Sequence, residues 1–256
     1  MLQAHSLLWH YLWAGPNALL LLLFGLLLSN GVGRRFPAFL AFCLLGSLSQ
    51  LAVYTADVLP TVTPETFWRV DWAGLLIEGP VKFILVGEIF AHVFGTYASV
   101  AKLGKTLIRI VGVALVLAAA LAAAYAPKNG SFGIVAGAHL LDQTIYFVET
   151  GLLLFIFALS SYFRLSLERP LFGIALGLSL SACVHLATWA LMANGSFGNP
   201  ARYALDFLNM ATYHVCVLIW FYYLLVPGRV ATKSIVSVPE HSLEVWNQEL
   251  ERLLHQ

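Results

Sequence analysis

Residues 8–28 read LWHYLWAGPNALLLLLFGLLL, twenty-one positions without a charged side chain. At about 1.5 Å of rise per residue, a helix of that length covers roughly 31 Å, the thickness of a hydrocarbon core. In water it would expose leucine on every side, having no polar face to turn outward. The stretch therefore reads as a membrane span. Its leader carries no Lys or Arg and no small-residue cleavage site follows, so it is expected to be a retained helix rather than a signal peptide. His5, Trp9, His10 and Trp13 suit a membrane interface.

The rest of the chain repeats the pattern. Long apolar stretches recur at 36–56, 72–96, 107–126, 139–162, 171–192 and 203–226, separated by turn chemistry such as Ser29-Asn30-Gly31, Pro60 to Pro64 and Arg169-Pro170. Hydrophobic residues make up 60% of the 256 and charged residues 11%, against about 45–50% and about 25% in soluble domains. Mean hydropathy is +0.81. Nothing shows the ten-residue alternation of a membrane β-barrel. The expected fold is all-α: a polytopic membrane protein, a seven-transmembrane-helix bundle embedded in the lipid bilayer. Cys43, Cys183 and Cys216 fall in different spans as small core residues, with no disulfide or zinc spacing. A net charge of +1 makes no electrostatic case for nucleic acid.

Orientation follows from Lys and Arg. Ten (Arg34, Arg35, Lys102, Lys105, Arg109, Arg164, Arg169, Arg229, Lys233 and Arg252) fall on the side of the C-terminus, and three (Arg69, Lys128 and Arg202) on the other. The positive-inside bias places the N-terminus out and the C-terminus in, in a multi-pass protein of the plasma (inner) membrane. Residues 1–230 form the transmembrane domain. In the tail, 231–256, Leu243, Trp246, Leu250, Leu253 and Leu254 recur at spacings of three and four, an amphipathic helix suited to a cytoplasmic protein or a homo-oligomer through 237–256.

Spans one to three and five to seven share a direction and also local wording. Arg35-Phe36-Pro37 opens the second and Arg169-Pro170-Leu171 the sixth, each followed by a Gly/Ser/Leu stretch. This suggests a parallel 3+1+3 repeat. Asn-Gly-Ser-Phe-Gly also occurs twice, at 129–133 and 194–198.

Ionisable groups at a bilayer centre cost roughly 2.5–3.5 kcal/mol each on insertion scales, so each needs a partner or a purpose. The third span carries Glu78 and Lys82 four apart, the spacing of an ion pair, with Gly79-Pro80 between them. Glu88 and His92 repeat that spacing deeper. The fifth span places His139, Asp142, Gln143, Tyr146, Glu149 and Thr150 on one stripe. The sixth adds Ser181, His185, Thr188 and Trp189; the seventh adds Asp206, Asn209 and Tyr213, with His214 offset. If spans three, five, six and seven converge, these residues line an outward-facing polar pocket or a proton relay.

The reading placed first is a receptor or sensor that binds a small ligand or ion there and signals through a separate partner. The alternative is a proton-coupled or small-solute transporter, followed by a membrane metalloenzyme or an accessory subunit. No cofactor is specified. Zinc lacks a paired His motif, and haem has only His92, His139, His185 and His214 as separate candidates. The seven spans and their orientation resemble microbial rhodopsins in architecture alone. The position one turn after Asp206 that would hold the retinal Lys is Met210.

Overall fold

A computed structural model describes residues 5–95, 131–162, 167–194 and 199–226, with isolated positions at 102, 106, 109, 110, 113, 117 and 252. Side chains are described from 142 onward in the fourth helix below. These residues form six long helices and no strand: α1 (Leu7–Ser29), α2 (Pro37–Val58), α3 (Pro64–Phe94), α4 (Ser131–Tyr162), α5 (Arg169–Asn194) and α6 (Asn199–Leu225). The last three are the fifth, sixth and seventh expected spans. The expected fourth span, 107–126, the tail helix within 237–256 and the second Asn-Gly-Ser-Phe-Gly turn lie outside the described residues, isolated positions apart.

Each helix starts where the sequence supplies an end signal. Ser6 caps α1, its hydroxyl accepting from the Trp9 amide at 3.2 Å. Thr63 does the same for α3 at Thr66, with Pro64 at the first helical position and Glu65 in the first turn. Pro37 opens α2.

The helices pack in chain order, each against the next, and contact between α1 and α6 closes the ring. Five of them are long and apolar enough to cross a membrane. The sixth, α3, is too rich in charge to qualify on composition, yet it sorts its faces: Ile84 is 63% exposed and Lys82 5%. Every helix turns large apolar side chains outward, among them Leu22, Leu48, Leu154, Leu191 and Leu218, while Asn17, Lys82, Glu149 and Thr188 are buried. That inverted distribution belongs to a lipid-facing surface. The chain is a multi-pass integral membrane protein.

The half of the ring remote from the N-terminus is filled. Phe39 and Phe42 meet Trp220 edge-on at 5.5 and 5.7 Å, beside buried Leu23, Phe90, Phe94 and Ile174. Gly173 and Gly177, one turn apart on α5, allow this close approach. A Cβ on either would overlap the side chain of Tyr223 or Trp220. This is the small-xxx-small contact of membrane helices. The Trp220 indole then donates to the Ile174 carbonyl at 3.3 Å.

Candidate functional site

The half of the ring nearer the N-terminus is hollow. A cavity of about 360 Å³ opens there, lined by all six described helices. Helical spacing puts the polar lining on it. Asp71, Leu75 and Glu78 of α3 are four and seven residues apart, Asp142 and Tyr146 of α4 four apart, and Ser181 and His185 of α5 four apart. Asn209, Met210 and Tyr213 come from α6, Trp13 and Asn17 from α1, and Gln50 from α2.

Beneath this lining lies a charge network. Lys82 Nζ is 2.9 Å from Glu78 Oε1 and 3.7 Å from Glu149 Oε2, so the ammonium ties α3 to α4. The longer contact exceeds hydrogen-bond range, and Glu149 Oε2 is buried with no hydrogen-bond partner. Lys82 also lies over the Tyr146 ring, 4.0 Å from its centroid, a desolvated cation–π contact. On its other side the Gln50 amide donates to Glu78 Oε2 at 3.3 Å. Gly79 faces the same contact: a Cβ there would stand 2.9 Å from Ile145 Cδ1, the tip of that side chain.

A second group joins α4, α5 and α6. His185 Nε2 and Asp142 Oδ2 are 2.9 Å apart, and the imidazole stacks on Tyr146 at 3.9 Å. Thr188 Oγ1 lies 2.8 Å from the His185 carbonyl and 3.0 Å from Asn209 Oδ1. Tyr146 thus carries Lys82 and His185 against its ring and links the two groups.

Of the residues read from sequence, the structure brings Glu78, Asp142, Tyr146, His185, Asn209 and Tyr213 to the cavity, with Lys82 and Glu149 beneath it. Others fall elsewhere. Glu88 does not pair with the His92 ring. Its carboxylate accepts from the Ala38 and Phe39 amides at 3.2 Å and caps α2 at the far end of the bundle. His92 is exposed, its Nδ1 2.9 Å from the Glu88 carbonyl. Asp206 is exposed and lines a neighbouring recess with Trp9, Tyr203 and Phe207; this recess shares Trp13, Asn209 and Met210 with the main cavity. Trp189 is not among the lining residues, and the His139 side chain lies outside the described ones. His214 faces Tyr11, with ring centroids 5.5 Å apart. Among the described residues no three His, Cys, Asp or Glu side chains converge as a metal site.

Sequence reasoning missed Asp71, Asn17, Trp13 and Gln50. Asp71 had a usable signal, because it continues the Glu78–Lys82 stripe about two turns up α3. Trp13 reads from sequence as an interface residue, Asn17 and Gln50 sit alone in apolar helices, and only the closure of the ring brings the three to the cavity.

No family model, characterised protein or solved structure matches the chain.

Proposed function

We propose that the chain is a seven-span receptor or sensor of the plasma (inner) membrane, N-terminus outside and C-terminus inside. It holds a small ligand or ion in the cavity and passes the state of the bundle to a cytoplasmic partner through 237–256. The observation that carries this is the cavity with a buried charge network as its floor: Lys82 bridges two helices directly below the lining, so a ligand at Glu78 or Asp142 acts on the α3–α4 contact. The filled half beyond it suits a site read from one side.

The seventh span is supported by direction. Gly79 meets Ile145 and Lys82 meets Glu149, so α3 and α4 run parallel. In this reading an inverting span at 107–126 carries the chain back to the end where α3 begins. The ring order also supports the 3+1+3 repeat, because α1–α3 and α4–α6 occupy equivalent arcs. Arg35 and Glu168, which pair at 2.5 Å, stand at the corresponding starts of α2 and α5. Within this reading Glu78, Lys82, His139, Asp142, Tyr146, Glu149, His185, Asn209 and Tyr213 serve the ligand, and Asp206 and Trp189 flank it.

The transporter reading is favoured by one observation. Pro80 lies inside α3 beside the Lys82 pair and deprives the Leu76 carbonyl of its helical donor, a place for the helix to bend. Reconstituted protein separates the two. The receptor reading expects ligand-dependent tryptophan fluorescence, lost in Asp142→Asn and Glu78→Gln, with no solute or proton flux. Gradient-driven flux assigns the transporter instead. For orientation, a cysteine at Thr61 should label in intact cells and one at Arg34 only after permeabilisation; the reverse pattern overturns the topology.

A further inference from the structure

The chemistry of the cavity selects its ligand, given the reading above that the cavity is a ligand site. Asp71, Glu78 and Asp142 all line it, with Glu149 just beneath. Against these four carboxylates stand one ammonium, Lys82, and one imidazole, His185. Lys82 is shared between Glu78 and Glu149, and His185 faces Asp142. Asp71 has no basic partner among the described residues, so the lining offers more carboxyl groups than bases. Beside hydrocarbon such a surplus is neutral only when protons or a bound cation fill it, and a cation is the occupant that brings its own binding energy.

The counter-ion is not a bare metal, because the carboxylates are spread along the walls and no three donors converge among the described residues. The walls between them are aromatic. Trp13, Phe67, Trp68 and Tyr213 line the cavity, and Trp13 is held edge-on by Trp9 at 4.7 Å and by Tyr54 at 5.7 Å. Carboxylates among fixed aromatic faces suit an organic cation.

A further acceptor lacks a donor. Asn17 is 2% exposed and lines the cavity; its Nδ2 donates to the Trp13 carbonyl at 2.8 Å, while its Oδ1 has no partner. Exchanging the two amide atoms would set oxygen against oxygen at Trp13, so Oδ1 is the free atom.

We propose that the cavity takes a small organic cation with N–H donors, a primary ammonium or guanidinium. Its charge sits among Asp71, Glu78 and Asp142, its apolar body lies against Trp13 and Trp68, and a donor is left for Asn17. A volume near the lower end of ligand pockets sets the size.

The test uses the full chain in detergent, titrated calorimetrically with benzylammonium, benzyltrimethylammonium, benzyl alcohol and benzoate. Benzylammonium should bind at least about tenfold tighter than benzyl alcohol, with benzoate weakest and benzyltrimethylammonium between the first two. Asp71→Asn should weaken benzylammonium about tenfold and leave benzyl alcohol unchanged. Because Asp71 is partly exposed and meets only like charges, this variant is expected to melt at or above the wild-type temperature without ligand. Asn17→Leu should narrow the gap between the two ammonium probes. Benzyl alcohol or benzoate binding as tightly as benzylammonium overturns the cation proposal and leaves the ligand site standing. Equal affinity for the two ammonium probes overturns the N–H requirement. Binding of none of the four at millimolar concentration overturns both the cation proposal and the ligand-site reading for compounds of this size.

Discussion

Replacing Lys82 by Met keeps the volume and removes the charge that joins α3 to α4. At an effective dielectric of about 20, unit charges 2.9 Å apart attract by about 6 kcal/mol and those 3.7 Å apart by about 4.5 kcal/mol. Desolvation of the ammonium offsets several kcal/mol of this, and the variant leaves two carboxylates without their cation. Breaking one side of a buried pair costs about 3–5 kcal/mol, and that is the expected loss. The loss should be unequally shared. Glu149 stands beyond hydrogen-bond range of the ammonium, and Lys82 keeps Glu78 when it is lost, so Glu149→Gln is expected to cost about 1–3 kcal/mol, less than Lys82→Met. Glu78→Gln breaks the shorter contact and should cost more. Adding Glu149→Gln to Lys82→Met removes one stranded carboxylate and should return about 1–3 kcal/mol, the coupling typical of groups in contact. Reversible unfolding in mixed micelles measures all four variants on one scale. A Lys82→Met loss under about 1 kcal/mol, or strict additivity in the double variant, would refute the view that this network holds the two helices together.

Gly177→Val drives a side chain into Trp220 and should cost about 1–3 kcal/mol, read from the same unfolding curves. Gly25→Ala, with nothing within 4 Å of the new methyl, should instead match or exceed wild type by up to about 1 kcal/mol. Glu88→Ala leaves the Ala38 and Phe39 amides without an acceptor and should cost about 1–2 kcal/mol, while benzylammonium affinity stays at the wild-type value. A change in that affinity would place Glu88 in the site after all. Thr63→Ala removes the α3 cap and should cost about 1 kcal/mol.

Helix positions were almost wholly legible, because a run without charge has only one stable arrangement in lipid. The reading of 8–28 against α1 (Leu7–Ser29) differs by one residue at each end. Two starts differ by eight residues: α4, expected from 139 and found from Ser131, and α3, expected from 72 and found from Pro64. In α3 the turn chemistry of Pro60 to Pro64 masks the start, although Thr63, Pro64 and Glu65 in that order are a helix start: an N-cap, a residue with no amide to leave unpaired, and an acid beside the dipole. The displacement at α3 hides Asp71, which falls one residue outside the expected span and so does not count there as an intramembrane acid. Asn17 and Gln50 were hidden for a different reason. A single amide in an apolar helix is usually satisfied locally, and the Asn17 Nδ2 bond to Trp13 is of that kind; only the Oδ1 left over points beyond its own helix.

Two pairs in α3 share the four-residue spacing, yet only one forms. Glu78 meets Lys82 at 2.9 Å, whereas Glu88 turns from the His92 ring to the first amides of α2. The choice is set by what each acid finds across the helix interface. Near Glu78 the neighbours are Gln50, one weak donor, and Tyr146, so the ammonium one turn away is the strongest partner within reach. Near Glu88 stands the N-terminus of α2, where Pro37 opens the helix and the following amides have no acceptor in their own chain segment. Two N–H groups and the positive end of a helix dipole, fixed in place, outcompete an imidazole that must be protonated to attract. The local spacing was the same, and the decision was made by a helix whose residues lie 49 and 50 positions away in the chain. Pair spacing along a membrane helix therefore identifies acids that need a partner. Whether the partner is a base, a helix end or a ligand depends on the neighbouring helices, and Asp71, which lines the cavity with carboxylates and aromatic rings, is the acid that the proposed cation would partner.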